Sequence, residues 1–206
     1  MNSDTSTTKD GPALMAAAAA ETARVVAGAA QATKTQATTT QVTPCTGWDL
    51  RTLLNHTILW TSYSAERRAQ GESVSEDLMN KDFTADPGFR DDYAQQAGRA
   101  AQAWSAPSAW EGELSVMGNA TPAADVGAML LMETVLHGWD VAAATGQKYR
   151  LDDAVARATL EVVQAQAEMF RKYQGFADEV QVSDEAPALD RALALAGRDP
   201  ARNPAG

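Results

Sequence analysis

Between Ala128 and His137 the chain reads AMLLMETVLH, and Glu133 is the only acid in those ten residues. Glu133 and His137 stand four apart, so on a helix both project from one face, about one turn from each other. Val126, Met129, Leu130 and Val141 continue that face, which makes it the side turned toward a core. A carboxylate held there costs several kcal/mol unless it is paired or bound to a metal. The segment calls for a helical core that answers a buried charge.

The rest of the chain supplies such a core. Alanine takes about a fifth of the 206 positions, while Gly and Pro number only 14 and 8, a mix that favours helices. The length suits one domain. Helical patterns run over residues 12–32, from Thr46 onward, and over 88–104, 121–145, 152–174 and 187–196. In the second of these Thr46 is the expected cap, Asp49 takes the capping-box position, and Leu50, Leu53, Leu54 and Ile58 form the apolar stripe. Thr121 and Pro122 read as cap and first helical position of the fourth. Residues 1–11 read as a mobile tail, QATKTQATTTQVT as a connection, 70–87 as an acidic loop and 201–206 as a second tail. Residues 105–120 read as a loop or short extended piece, and no strand ladder is expected. The predicted fold is all-α: an antiparallel four-helix bundle over residues 12–200 that includes an additional short C-terminal helix.

Charge and the scarce residues narrow the function classes. With 27 acids against 17 bases the net charge is −10, and the bases are scattered, so nucleic acid is not an expected partner. The adjacent pairs Arg67-Arg68 and Arg171-Lys172 read as solvated helix faces, with guidance of an anionic ligand as the other reading for Arg67-Arg68. No apolar run approaches the ~20 residues of a membrane span. The alanines from Ala16 to Ala20 follow Asp4, Lys9 and Asp10 and precede Glu21 and Arg24, which is not the pattern of a signal peptide. The expectation is a cytoplasmic monomer or homodimer. The single cysteine excludes an intramolecular disulfide and any multi-cysteine metal site. Cys45 reads as a small packing residue.

Only two histidines are available, His56 and His137. His56 follows Leu53 by three residues and precedes Trp60 by four, so it flanks the apolar stripe of the second helix. If the two helices are neighbours, His56, Glu133 and His137 converge. Two imidazoles and a carboxylate suit Zn²⁺ with open positions, and Ni²⁺, Mn²⁺ or Fe²⁺ fit the same donors. The competing reading is a buried Glu133–His137 ion pair and an unrelated His56; spacing leaves both open. Trp48, Trp60 and Trp139 are expected to pack in the bundle, with lining of a pocket as a second role for Trp60. Asp49 and Asp140 read as capping or supporting groups, and as the candidates for a fourth ligand.

At these residues the sequence resembles a known family. TPCTGWDLRTLLNH, ending at His56, is similar to the second-helix signature of the mycothiol-dependent maleylpyruvate isomerase metal-binding domain, of the DinB-like (YfiT-like) superfamily. ETVLHGWD from Glu133 to Asp140, with ATGQ ending at Gln147, resembles its second signature, and LAGRDP near the end its C-terminal stretch. The resemblance extends over about residues 13–200 and implies that His56, Glu133 and His137 bind a divalent metal, usually zinc. The family's isomerase carries a further domain after the bundle, so a single-domain member is expected here, with maleylpyruvate itself not the expected substrate. The resemblance implies a transferase or isomerase that acts on a small molecule with a low-molecular-weight thiol such as mycothiol. A thiol-independent Lewis-acid cyclase, isomerase or hydrolase and a non-catalytic metal-binding protein are the alternatives.

Overall fold

In the computed structural model, residues 6–32, 42–116 and 118–202 are described. The sequence-based expectations for residues 1–5, 33–41 and 203–206 lie outside them. The described chain is mostly helical, and the order is α1 (Ser6–Ala32), α2 (Leu50–Ile58), α3 (Ser64–Ala69), α4 (Glu76–Met79), α5 (Phe89–Ala103), α6 (Ala123–Ala144), α7 (Asp153–Lys172) and α8 (Ala188–Leu195). A π-helical turn, Leu59–Tyr63, joins α2 to α3 without a break. No helix among the described residues is long and apolar enough to cross a membrane.

Helix α6 is the axis of the molecule: it packs against α1, α2 and α7, and α1 also packs along α5. Its buried residues lie on nearly every side, from Val126 through Leu131, Met132, Val135 and Leu136 to Trp139 and Val141. One apolar cluster joins α6 to α1, α2 and α5 through Val25, Leu53, Ile58 and Tyr93. Another joins it to α7 and α8 through Met132, Leu136, Val163 and Leu193. Close approach of α1 depends on Gly138, where a Cβ would stand 2.4 Å from Thr22 Oγ1 and 2.5 Å from the Tyr149 hydroxyl.

Several boundaries differ from the sequence reading, each for a local reason. Helix α1 begins at Ser6 rather than at residue 12 and runs through Pro12, although proline withholds one helix hydrogen bond. Gly11 there lies against the Trp110 ring, so packing holds the extra turn in place. Helix α2 begins at Leu50 because Asp49, not Thr46, is its cap: the Asp49 carboxylate accepts from the Thr52 N–H at 2.8 Å. Residues 113–122 contain an antiparallel hairpin, β1 (Glu113–Val116) and β2 (Asn119–Pro122), where no ladder was expected. Four residues per strand carry too little alternation to read as strands in a sequence. Pro122 ends β2 and occupies the cap position of α6, so Thr121 does not cap the helix.

The π turn follows one turn after His56. In it Thr61 donates to the Thr57 carbonyl at 2.7 Å and shares a 2.7 Å hydrogen bond with the Tyr93 hydroxyl of α5. Hydroxyls that bond back into the helix ladder loosen its regular spacing, and such turns gather near functional sites. Asn55, beside His56, ties α2 to the segment that follows α4. Its Oδ1 accepts from Phe83 N at 2.7 Å, and its amide donates to Asp82 at 3.0 Å. Asp82 also pairs with Arg51, and this bond with those from Thr84 and Asn55 holds the carboxyl down to about 2. A carboxylate held low contributes stability above its unfolded pKa and loses it as pH falls through the folded one. Asp82→Asn is therefore expected to cost about 1 kcal/mol or less at pH 7, since the Arg51 pair is exposed. That difference should vanish as pH falls from ~4 toward ~2, as read by urea denaturation across a pH series.

Candidate metal centre

The loop before α2 roofs the site. Gly47 takes a left-handed conformation, φ +82°, that turns the chain, and the Thr43 hydroxyl donates to the Trp48 carbonyl at 3.0 Å. This brings the Trp48 ring to 4.7 Å from the His56 ring and stacks it 5.9 Å from that of His137. Beneath it the two imidazoles meet edge to face, with centroids 4.6 Å apart.

Glu133 and His137 share one face of α6, and α2 packs beside α6 and brings His56 to them. His137 Nε2 lies 3.3 Å from Glu133 Oε2, and His56 Nε2 lies 3.5 Å from the same oxygen. The three donor atoms fall within 4.8 Å of one another. Burial works against the charge of Glu133, but hydrogen bonds from His137 and His56 outweigh it and keep the carboxyl well below its ordinary range. Burial pushes the His56 imidazole down, against the pull of Glu133.

A second layer stands behind His137. Its Nδ1 lies 3.0 Å from Asp140 Oδ2, one turn further along α6. Arg198 donates to both oxygens of Asp140, at 3.2 and 2.9 Å, and both side chains are buried. Burial opposes the Asp140 charge, yet Arg198 and His137 hold its carboxyl well below the usual range. Asp140 is thus an acceptor, which makes Nδ1 the donor and leaves Nε2 facing Glu133. Burial would lower the His137 pKa, but Asp140, Cys45 and Glu133 together raise it well above the ordinary value.

Cys45 belongs to the same layer rather than to plain packing. Its Sγ donates to Asp140 Oδ2 at 3.0 Å and lies 3.9 Å from His137 Nδ1. Burial pushes its thiol pKa up. Cys45, His137 and Asp140 also bring three donor atoms within 4.8 Å of one another. Arg198 already occupies both Asp140 oxygens, and its charge opposes a cation on that side. Of the two fourth-ligand candidates, Asp140 stands on the far side of the His137 ring from Glu133, and Asp49 is spent capping α2.

Arg198 was not legible as a site residue, although the LAGRDP stretch contains it. Its signal was the glycine before it: Gly197 has φ +80°, and Arg198 N bonds back to the Leu193 carbonyl at 2.8 Å. The left-handed turn ends α8 and throws the next side chain inward. Trp139 packs in the core, whereas Trp60 lines a cavity, as the second reading of it allowed.

Two cavities open on the donors. One, of about 230 Å³, is almost wholly apolar and includes His56, Glu133 and Trp60 in its walls. The other, about 580 Å³, is more polar and is bordered by His56, Glu133, His137, Arg171, Gln174 and Arg198. His56, Glu133 and Phe170 belong to both, so the donor cluster sits where the two meet.

The family model for the mycothiol maleylpyruvate isomerase N-terminal domain matches residues 15–142. The match takes in His56, Glu133, His137 and Asp140, while the C-terminal LAGRDP stretch lies beyond it. No curated protein and no solved structure matches the chain.

Proposed function

We propose that this chain, which belongs to the mycothiol maleylpyruvate isomerase N-terminal domain family, is a divalent-metal-dependent enzyme. In this reading His56, Glu133 and His137 hold the metal, most naturally zinc, within an antiparallel four-helix bundle. The enzyme is a cytoplasmic transferase or isomerase that joins a low-molecular-weight thiol such as mycothiol to a small electrophile. One observation carries the reading: both Nε2 atoms converge on a single carboxylate oxygen at the junction of two cavities.

The donor chemistry fits a divalent cation. Glu133 stays ionised, and Asp140 accepts from the His137 Nδ1–H, so that Nε2 would be the donor once a cation displaces its proton, the carboxylate–histidine support typical of metal sites. Cys45, His137 and Asp140 are the poorer set, because Arg198 answers the Asp140 charge. Three donors without a fourth among the described residues leave positions for ligands. The ion would supply Lewis acidity and favour thiolate over thiol near neutral pH.

The protein's own groups do the rest. Trp48 packs against both imidazoles and covers one side of them. The polar cavity, with Arg171 and Gln174, suits the hydrophilic body of a thiol; the buried Arg171 Nε has no partner in the protein among the described residues. The apolar cavity suits the electrophile. At the junction marked by His56 and Glu133 the S–H bond would give its proton to solvent, and the sulfur would add to one carbon of the electrophile's double bond. The displaced π pair would take a proton from solvent; in an isomerase the same C–S bond then breaks and returns the thiol.

The test is spectroscopic. Adding mycothiol to cobalt-loaded protein is expected to introduce a sulfur-to-metal charge-transfer band, and the hydroxyl analogue should not. An unchanged spectrum overturns the thiol step, and turnover of a substrate without thiol would select the Lewis-acid alternative.

A further inference from the structure

The smaller cavity holds a charge that the protein leaves unanswered. Its walls are apolar, with Val116, Val126, Met129 and Leu130, yet Arg68 of α3 also lines it. Arg68 is half-buried; its Nε donates to Ser64 Oγ at 3.1 Å, and the guanidinium carbon lies 5.9 Å from the centre of the Trp60 ring. Nearby arginines are paired: Arg67 with Glu72 at 3.0 Å and Arg99 with Glu66 at 3.9 Å. Among the described residues no carboxylate pairs with Arg68, and Glu133, the one acid in the cavity wall, is engaged by the two histidines.

Burial lowers the Arg68 pKa with no neighbouring acid to oppose it. A guanidinium so placed is costly unless an anion completes it, and its planar fork matches a carboxylate. One guanidinium, apolar side chains and two of the metal donors line the cavity, and the Trp60 ring lies 5.9 Å from the Arg68 guanidinium carbon and 6.1 Å from the His56 ring.

We propose that Arg68 is the anion anchor of this cavity and that the electrophile is a small, mostly apolar monocarboxylate. Its carboxylate sits on Arg68 beside Trp60, its apolar part lies along Val126, Met129 and Leu130, and its reactive carbon points to His56 and Glu133. The proposal rests on the metal reading of those residues and adds the substrate class to it. A carboxylate is favoured over a phosphate because the cavity offers one guanidinium and little other polar surface.

The test compares 3-phenylpropionate with 3-phenylpropanamide, of equal size but uncharged, by calorimetric titration of zinc-loaded protein. Wild type should bind the acid about tenfold or more tighter than the amide, the scale of one charge-assisted hydrogen-bond pair. Arg68→Met should remove that preference, Arg68→Lys should keep part of it, and both should retain wild-type zinc content. Equal binding of acid and amide by wild type overturns the proposal, as does failure of the acid to bind. It also falls if Arg68→Met retains the preference, which would put the acid on the metal, or if phosphate binds tighter than the acid. Failure of the metal reading shows separately, as full zinc content in His56→Ala.

Discussion

Glu133→Gln is expected to reduce bound metal from one equivalent per chain to a trace and to abolish activity, as measured by elemental analysis beside an assay. The amide keeps the shape of the side chain but removes the charge on which His56 Nε2 and His137 Nε2 converge. His56→Ala should do the same from the α2 side, although it touches none of the α6 residues' own spacing. A fully active, metal-free Glu133→Gln protein would refute the site. Asp140→Asn should act more mildly, weakening metal binding by about 10–100-fold, because it loosens His137 without removing a donor.

Arg198→Met should produce the largest loss of stability, about 3–5 kcal/mol, because it leaves Asp140 charged and buried. Urea denaturation of the metal-free protein is the measurement. The double variant Arg198→Met with Asp140→Asn should recover part of the loss, since the buried carboxylate charge that Arg198 answered goes with it. A single-variant loss below about 1 kcal/mol would mean that solvent reaches the pair. The pH sign follows from the low Asp140 pKa: the pair contributes fully at neutral pH, and its contribution falls progressively once pH drops below the ordinary carboxylate value of ~4, until acid titrates the folded carboxylate.

Much of this was legible in the residues. A lone acid within AMLLMETVLH, four before a histidine, already required a buried, compensated charge on one helix face. Capping and apolar period located α5, α6, α7 and α8 to within a few residues. Local signals misled where packing decides: Gly11 against Trp110 lengthens α1, and the short β1–β2 hairpin leaves no periodic trace.

The sequence by itself determined the helical character of the chain, the face of α6 that carries Glu133 and His137, and the scarcity that made His56 the only other imidazole. These follow from periodicity and counting, which are local properties of a chain. Only the tertiary structure decided that α2 lies beside α6, that Cys45 reaches Asp140, and that Arg198 comes back more than fifty residues later to pair with it. Nothing in the spacing of Cys45 or Arg198 encodes Asp140 as their partner. A buried charge is compensated through space, and which distant group does so depends on how the helices pack.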